Sequence, residues 1–167
     1  MVDDGTQGGP MAAWAHVVAV PGAQEVLRCL RPRYRLIVAT NAADSGGDQV
    51  RAALARVGLD DLVDDVVTSR EVGACKPDPA FFRAALRAAS AGRPFSPRRA
   101  VMVGDSWEND VAGALAVGLR AVWFNPSGGG RPCGAPAPAA EIAKLSQLPP
   151  ALEGLTRDVR AGAAESA

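Results

Sequence analysis

Histidine, cysteine and lysine are scarce in this chain of 167 residues: it has one histidine, three cysteines and, among 18 basic residues, only the lysines Lys76 and Lys144. Each scarcity excludes something. Cys29, Cys75 and Cys133 are odd in number, far apart and never spaced C-x-x-C, which argues against a disulfide framework or a zinc site. Cys29 falls on the apolar side of a predicted helix and is expected to be a core thiol. His16 has no visible partner and is better read as a packing or surface residue than as a catalyst. No apolar run approaches the roughly 18 residues of a membrane-spanning helix. The opening MVDDGTQGGP lacks the charged and apolar regions of a secretory signal. A reducing, cytoplasmic setting is the expectation. The formal net charge of zero and a pI near 6.6 leave no basic surface for nucleic acid and no polybasic patch for a membrane.

What the chain does have is a core: 48% of its residues are hydrophobic, enough for one globular domain. Val26, Leu27 and Leu30 fall at helical spacing. Leu36-Ile-Val-Ala-Thr40 is a continuous apolar run, the pattern of a strand buried on both faces. Val50, Leu54 and Val57 form a helical stripe that Gly58 is placed to end. Residues 63–68 read as a second strand. Asp78 and Pro79 suit the N-cap and first position of a helix carrying Phe82 and Leu86. Ala100–Val103 is a third strand, residues 108–117 a helix with Val111 and Leu115 inward, and Ala121–Phe124 a fourth strand. Ile142, Leu145, Leu148 and Leu152 suggest a closing segment with a short helix. His16–Val20 is a short β-branched run that could form a strand. The organisation expected is a flexible arm over 1–13, a core domain over 14–153 and a frayed tail over 154–167. Strand and helix alternate with crossovers long enough for right-handed βαβ units, so the fold class is α/β, doubly wound, with a mostly parallel sheet.

In such sheets chemistry gathers at the carboxyl ends of the strands. Thr40, the Ser69–Lys76 loop and Asp105 all fall just after a strand. Asp105 and Asp110 can aim two carboxylates at one point, as Mg²⁺ requires. Alternatively, Asp105 caps a helix and Asp110 is a solvated first-turn acid. Thr40 and Asn41 can hold a phosphate with a hydroxyl and backbone N–H groups, or simply satisfy a turn. Lys76 can neutralise a phosphoryl oxygen and a carboxylate, or face solvent. In a chain whose default base is arginine, a lysine here suggests a compact point charge in a narrow site. Trp107 and Trp123 read as packing residues, and Asp44, Asp48, Asp60, Asp61, Asp64 and Asp65 as solvated acids near helix ends.

The ordered set, Leu-Ile-Val-Ala-Thr40-Asn41, then Lys76-Pro-Asp-Pro79, then Val101-Met-Val-Gly-Asp105 through Asp110-Val-Ala-Gly-Ala, resembles the second, third and fourth motifs of the haloacid-dehalogenase-like (HAD) hydrolases, in the branch with a helical cap. The match runs from Pro21-Gly22 to the Leu145–Leu148 region. The resemblance implies a Rossmannoid core, a phosphatase-type reaction through an aspartyl-phosphate, and a small phosphorylated molecule as substrate. It implies phosphate binding by Thr40, Asn41 and Lys76, with Lys76 catalytic, and Mg²⁺ held by Asp105 with Asp110 as ligand or supporting acid.

The family's first motif, an apolar strand followed by Asp-x-Asp-Gly-Thr, has no counterpart. In Met1-Val2-Asp3-Asp4-Gly5-Thr6 the nucleophile position would fall on Val2, so no role is carried onto Asp3 or Asp4, and the nucleophile is not identified. The twenty residues before Pro21 are too few for a cap. The central first strand of the sheet is therefore expected to be missing or replaced, with His16–Val20 as a partial substitute, in the manner of a lost N-terminal segment. The expectation is a phosphatase-type relative with little or no turnover. The alternatives are a non-catalytic relative that binds Mg²⁺ or a phosphorylated ligand and, further off, a receiver-like phospho-acceptor domain, which would place its lysine after its acceptor aspartate. Substrate identity and oligomeric state are not legible.

Overall fold

The computed structural model describes residues 9–93 and 96–164. Its strands are β1 (Ile37–Thr40), β2 (Asp65–Thr68), β3 (Val101–Gly104), β4 (Arg120–Phe124) and β5 (Ala140–Ile142). Its helices are α1 (Ala23–Leu30), α2 (Gly47–Ala55), α3 (Ser69–Val72), α4 (Pro79–Ser90), α5 (Gly113–Ala116) and α6 (Leu148–Ala164). The α/β class with parallel pairing is as expected. Among the described residues, however, the strands form two parallel ribbons, β1–β2 and β3–β4–β5, with no pairing between β1 and β3.

Two helices hold the ribbons together. Ala23 of α1 packs into the cluster of Val50, Leu54, Leu59 and Val66, while Val26 and Leu30 of the same helix pack with Val122, Ile142, Leu148 and Leu152. Helix α4 packs against β1 and β2 and sends Phe82 into a third cluster with Val111, Ala114 and Trp123. Its start is as the sequence suggests: Asp78 Oδ1 accepts from the Ala80 N–H at 2.7 Å and Pro79 opens the helix.

Several expectations need correcting. The run Leu36–Thr40 is not buried on both faces: every residue of β1, and every residue of β3, is only half-buried. Among the described residues β3 has only β4 beside it, and in the β1–β2 ribbon it is β2 that α2 and α3 cover. His16–Val20 is not a strand; it contributes one isolated bridge at Val18, which is 58% exposed. Instead, residues 11–20 track α2: Met11 N donates to Ser45 Oγ at 2.7 Å, and the Arg56 guanidinium donates to the carbonyls of Trp14 and Ala15. Trp14, Val17 and Val20 lie against that cluster. Cys29 is exposed. At 100° per residue it sits well off the arc defined by Ala23, Val26 and Leu30, so it falls outside the buried face. The predicted helix over 108–117 is a π-helical turn, Trp107–Ala112, running into the short α5. A fifth strand, three residues long, precedes α6, and α6 continues through Ala164 where a frayed tail was expected. Residues 1–8 lie outside the described residues.

Candidate functional site

The carboxyl ends of β1 and β3 meet at one side chain. Lys76 Nζ donates to the carbonyl of Ala39 in β1 at 2.8 Å and to Asp110 Oδ1, beyond β3, at 2.7 Å. Both partners are nearly closed off from solvent, with side-chain exposures of 10% for Lys76 and 7% for Asp110. Phe81 lies under the ammonium, its ring centroid 5.9 Å away. A buried ion pair persists only when its remaining lone pairs are also satisfied, and Asp110 Oδ2 accepts from the Ser106 N–H at 3.1 Å. The reading of Asp110 as a solvated acid is thus excluded. Its oxygens hold Lys76 on one side and the turn after β3 on the other.

The backbone is shaped around this pair. A Cβ on Gly104 would lie 2.3 Å from Asp110 Cγ, so only glycine admits that carboxylate against the end of β3. A Cβ on Gly113 would lie 2.7 Å from Phe82 and 2.8 Å from Pro77, so the helix after Asp110 can approach the Lys76-Pro77 loop only through a glycine. The π-helical turn begins at Ser106, whose Oγ accepts from Asn109 N at 3.2 Å.

Asn41 proves to be tied to Lys76. Its Oδ1 accepts from Lys76 N at 2.7 Å and its Nδ2 donates to Lys76 O at 3.0 Å. The amide therefore fixes the loop that carries the lysine, leaving backbone N–H groups as what this residue can offer an anion. Thr40 ends β1 half-buried, in register with Thr68 of β2. Asp105 is exposed, while its carbonyl accepts from Trp123 Nε1 at 3.0 Å. Trp107 packs edge-on against Trp123 with centroids 5.0 Å apart. The tryptophans are packing residues, as the sequence suggested, and Trp123 also fixes the backbone of Asp105.

Sequence reasoning missed the roles of Glu71, Ser106 and Gly104, and the bond from Trp123 to the Asp105 carbonyl. Ser106 and Gly104 could have been found from the helix-start pattern and the glycine directly before an acid. Glu71 carries a local signal, the Thr68-x-x-Glu71 pattern of a helix start, but its bond to Gly47 and that of Trp123 to Asp105 are distant in sequence.

Mg²⁺ is bound through one or two carboxylates, with waters and substrate oxygens completing an octahedron. Asp105 fits that demand as an open carboxylate; Asp110 stands behind it with both oxygens engaged. Among the described residues no group of three or more His, Cys, Asp or Glu side chains gathers as a metal cage. No helix among the described residues is long and apolar enough to cross a membrane.

Comparison with known proteins follows these motifs. The chain is 37% identical over 129 residues to the pyrimidine 5'-nucleotidase YjjG of Escherichia coli, covering 77% of this chain and 54% of that protein. It superposes on a HAD phosphatase from Thermococcus onnurineus with a TM-score of 0.68 and 35% identity, over 80% of this chain and 58% of the other. A 2-haloacid dehalogenase from Pseudomonas syringae is similar at a TM-score of 0.66 and 37% identity, over 80% of this chain and 52% of the other. The chain thus spans about half the length of the relatives it matches. The model of the haloacid dehalogenase-like hydrolases matches residues 1–118, and the chain belongs to that family.

Proposed function

We propose that this chain carries the phosphoryl-binding half of a phosphatase-type site acting on the phosphate monoester of a small molecule. The observation that carries the reading is Lys76: a nearly buried ammonium fixed by Ala39 O and Asp110 at the carboxyl ends of two strands, with two of its three N–H groups so bonded among the described residues. An ammonium held this way stabilises negative charge on a phosphoryl oxygen without reorganising. The Thr40 hydroxyl and the backbone N–H groups after β1 supply further donors. Asp105 would hold Mg²⁺, with Asp110 behind it; the metal, when bound, neutralises phosphoryl charge. Relatives named as phosphatases and as a nucleotidase support this class over carbon–halogen cleavage.

No nucleophile is assigned. Asp110 is committed to Lys76, so the 167-residue chain is expected to bind phosphate and turn over little or none. The same fact favours a second reading, a relative that binds a phosphorylated ligand or Mg²⁺ without catalysis. A receiver-like domain fits less well, because Lys76 precedes Asp105.

The test is direct. Inorganic phosphate, with and without Mg²⁺, is titrated against the chain and against Lys76→Ala, and release of phosphate from p-nitrophenyl phosphate is measured beside Asp105→Asn. Binding lost in the Lys76 variant supports the site. Equal binding by both proteins sinks it. Robust turnover abolished by Asp105→Asn would show that another acid serves as nucleophile and would overturn the expectation of inactivity.

A further inference from the structure

The turn that follows Thr40 is gripped by α3 and the loop after it at three evenly spaced points. Asn41 is bonded twice to the backbone of Lys76, the carbonyl of Asp44 accepts from Arg70 Nη1 at 3.0 Å, and the N–H of Gly47 donates to Glu71 Oε1 at 2.9 Å. The third grip differs from the others because both carboxylate oxygens are used. Glu71 Oε2 accepts from the Thr68 hydroxyl at 2.9 Å, and Thr68 is fully buried at the end of β2, in register with Thr40. Glu71 N in turn donates to Thr68 Oγ at 3.2 Å. The carboxylate thus ties the end of β2 to the first turn of α2.

Two consequences follow. At the start of α2 the Gly46 N–H is met by Gln49 Oε1 at 2.9 Å, Asp48 lies in the first turn, and Glu71 meets the Gly47 N–H from outside. A carboxylate at that point also fills, with charge of the same sign as a phosphate, the position on this edge where an anion would otherwise find free N–H groups and a favourable dipole.

We propose that Glu71 is a positioning residue for the phosphate site: it fixes the turn after Thr40 and, by occupying the amino end of α2, confines a bound phosphoryl group to Thr40, Asn41 and Lys76. This role rests on the phosphate-site reading above. Substrate does not touch Glu71; its effect passes through Gly47 and the turn.

The test is a titration of the full chain with inorganic phosphate, followed by backbone amide resonances. In the parent chain phosphate perturbs Thr40 and Asn41. In Glu71→Ala the affinity at those residues falls about five-fold, the loss expected for one hydrogen-bonded anchor, and a second perturbation appears at Gly47. Glu71→Gln keeps both hydrogen bonds available and restores the parent affinity. Glu71→Asp keeps the charge but is one methylene too short to span Thr68 and Gly47, so it also weakens binding; it decides the matter if the alanine variant does not fold. Parent-like affinity and an unchanged perturbation pattern in the aspartate variant, or in a folded alanine variant, overturn the role of Glu71 alone. Absence of any phosphate effect at Thr40 and Asn41 in the parent overturns the site itself, and the role of Glu71 with it.

Discussion

Strands β1 and β3 flank the Lys76 contact, yet they are less buried than β2 and β4, the strands they pair with. In β2, Val66, Val67 and Thr68 are 9%, 8% and 0% exposed, and in β4, Ala121, Val122 and Trp123 are 0%, 0% and 6% exposed. Every residue of β1 and β3 is half-exposed. A parallel sheet ordinarily buries its middle strands most deeply. The sequences of β1 and β3, Ile-Val-Ala-Thr and Val-Met-Val-Gly, are as apolar as those of their neighbours, so composition does not explain the difference. Neighbours do: β4 lies between β3 and β5, β2 is covered by α2, α3 and α4 although it bonds only to β1, and among the described residues no strand joins the two ribbons. Where strand pairing is absent, Lys76 is the polar stitch, bonded to Ala39 on one ribbon and Asp110 beside the other. The residue read as catalytic therefore also carries part of the fold.

The contrast breaks most sharply at that stitch. Asp110→Ala leaves the Lys76 ammonium buried beside an unfilled space and is expected to cost ~3–5 kcal/mol, visible as loss of a cooperative thermal transition; a variant as stable as the parent would show that the ribbons do not depend on the pair. Next come matched truncations. Val122→Ala in fully buried β4 removes two methyl-sized groups from a closed core and is expected to cost ~2 kcal/mol. Val38→Ala in half-buried β1 should cost less than ~1 kcal/mol. Denaturant midpoints that rank the two in the opposite order would mean that β1 is more fully packed than its exposure indicates.

Hydrogen exchange reads the same contrast without mutation. Amides of β3, bonded to β4 alone, are expected to exchange at least about ten-fold faster than those of β4, which is bonded on both sides, and amides of half-exposed β1 faster than those of buried β2, because the less covered strand opens locally at lower cost. Uniform protection across all four strands would contradict a split sheet.

How much of this was legible in the sequence depended on the range of the forces involved. Local signals carried well: Asp78-Pro79 starts α4, Gly58 takes a φ of 67° after α2, and the four apolar runs became β1 to β4 within a residue or so. Thr40, Asn41, Lys76, Asp105 and Asp110 could be named because each follows a strand or sits one turn into a helix. Their division of labour could not. That Asn41 serves the Lys76 backbone, and that Asp110 turns inward while Asp105 faces out, depends on contacts across about 35 residues and on the room left by Gly104. Burial of β1 was overestimated for a related reason. An apolar run reports what a strand can bury, whereas its actual burial is set by partners elsewhere in the chain. Strand β5, only Ala-Glu-Ile, was too short to register as a period of two.

A second ion pair crosses between the ribbons at the opposite end and supplies the smallest expected effect. Arg33, just before β1, donates to Glu153 of α6 at 2.6 Å, with both side chains about half exposed, 53% and 50%. The hydrogen bond to Arg33, followed by its charge, lowers the Glu153 pKa below its ordinary value of 4.5, and Glu153 raises that of Arg33 in the same way. A carboxyl whose folded pKa is depressed adds stability above its unfolded pKa, and loses it as the pH falls through the folded value. The melting temperature of Glu153→Gln should therefore lie slightly below that of the parent at pH 7, converge with it as the pH falls through the depressed Glu153 value, and converge with it in high salt, since solvent screens an exposed pair. The buried Lys76–Asp110 pair should resist the same salt. If salt weakened Asp110-dependent stability as readily as Glu153-dependent stability, the Lys76–Asp110 pair would be as wet as the surface pair, and the enclosure assigned to it would be wrong.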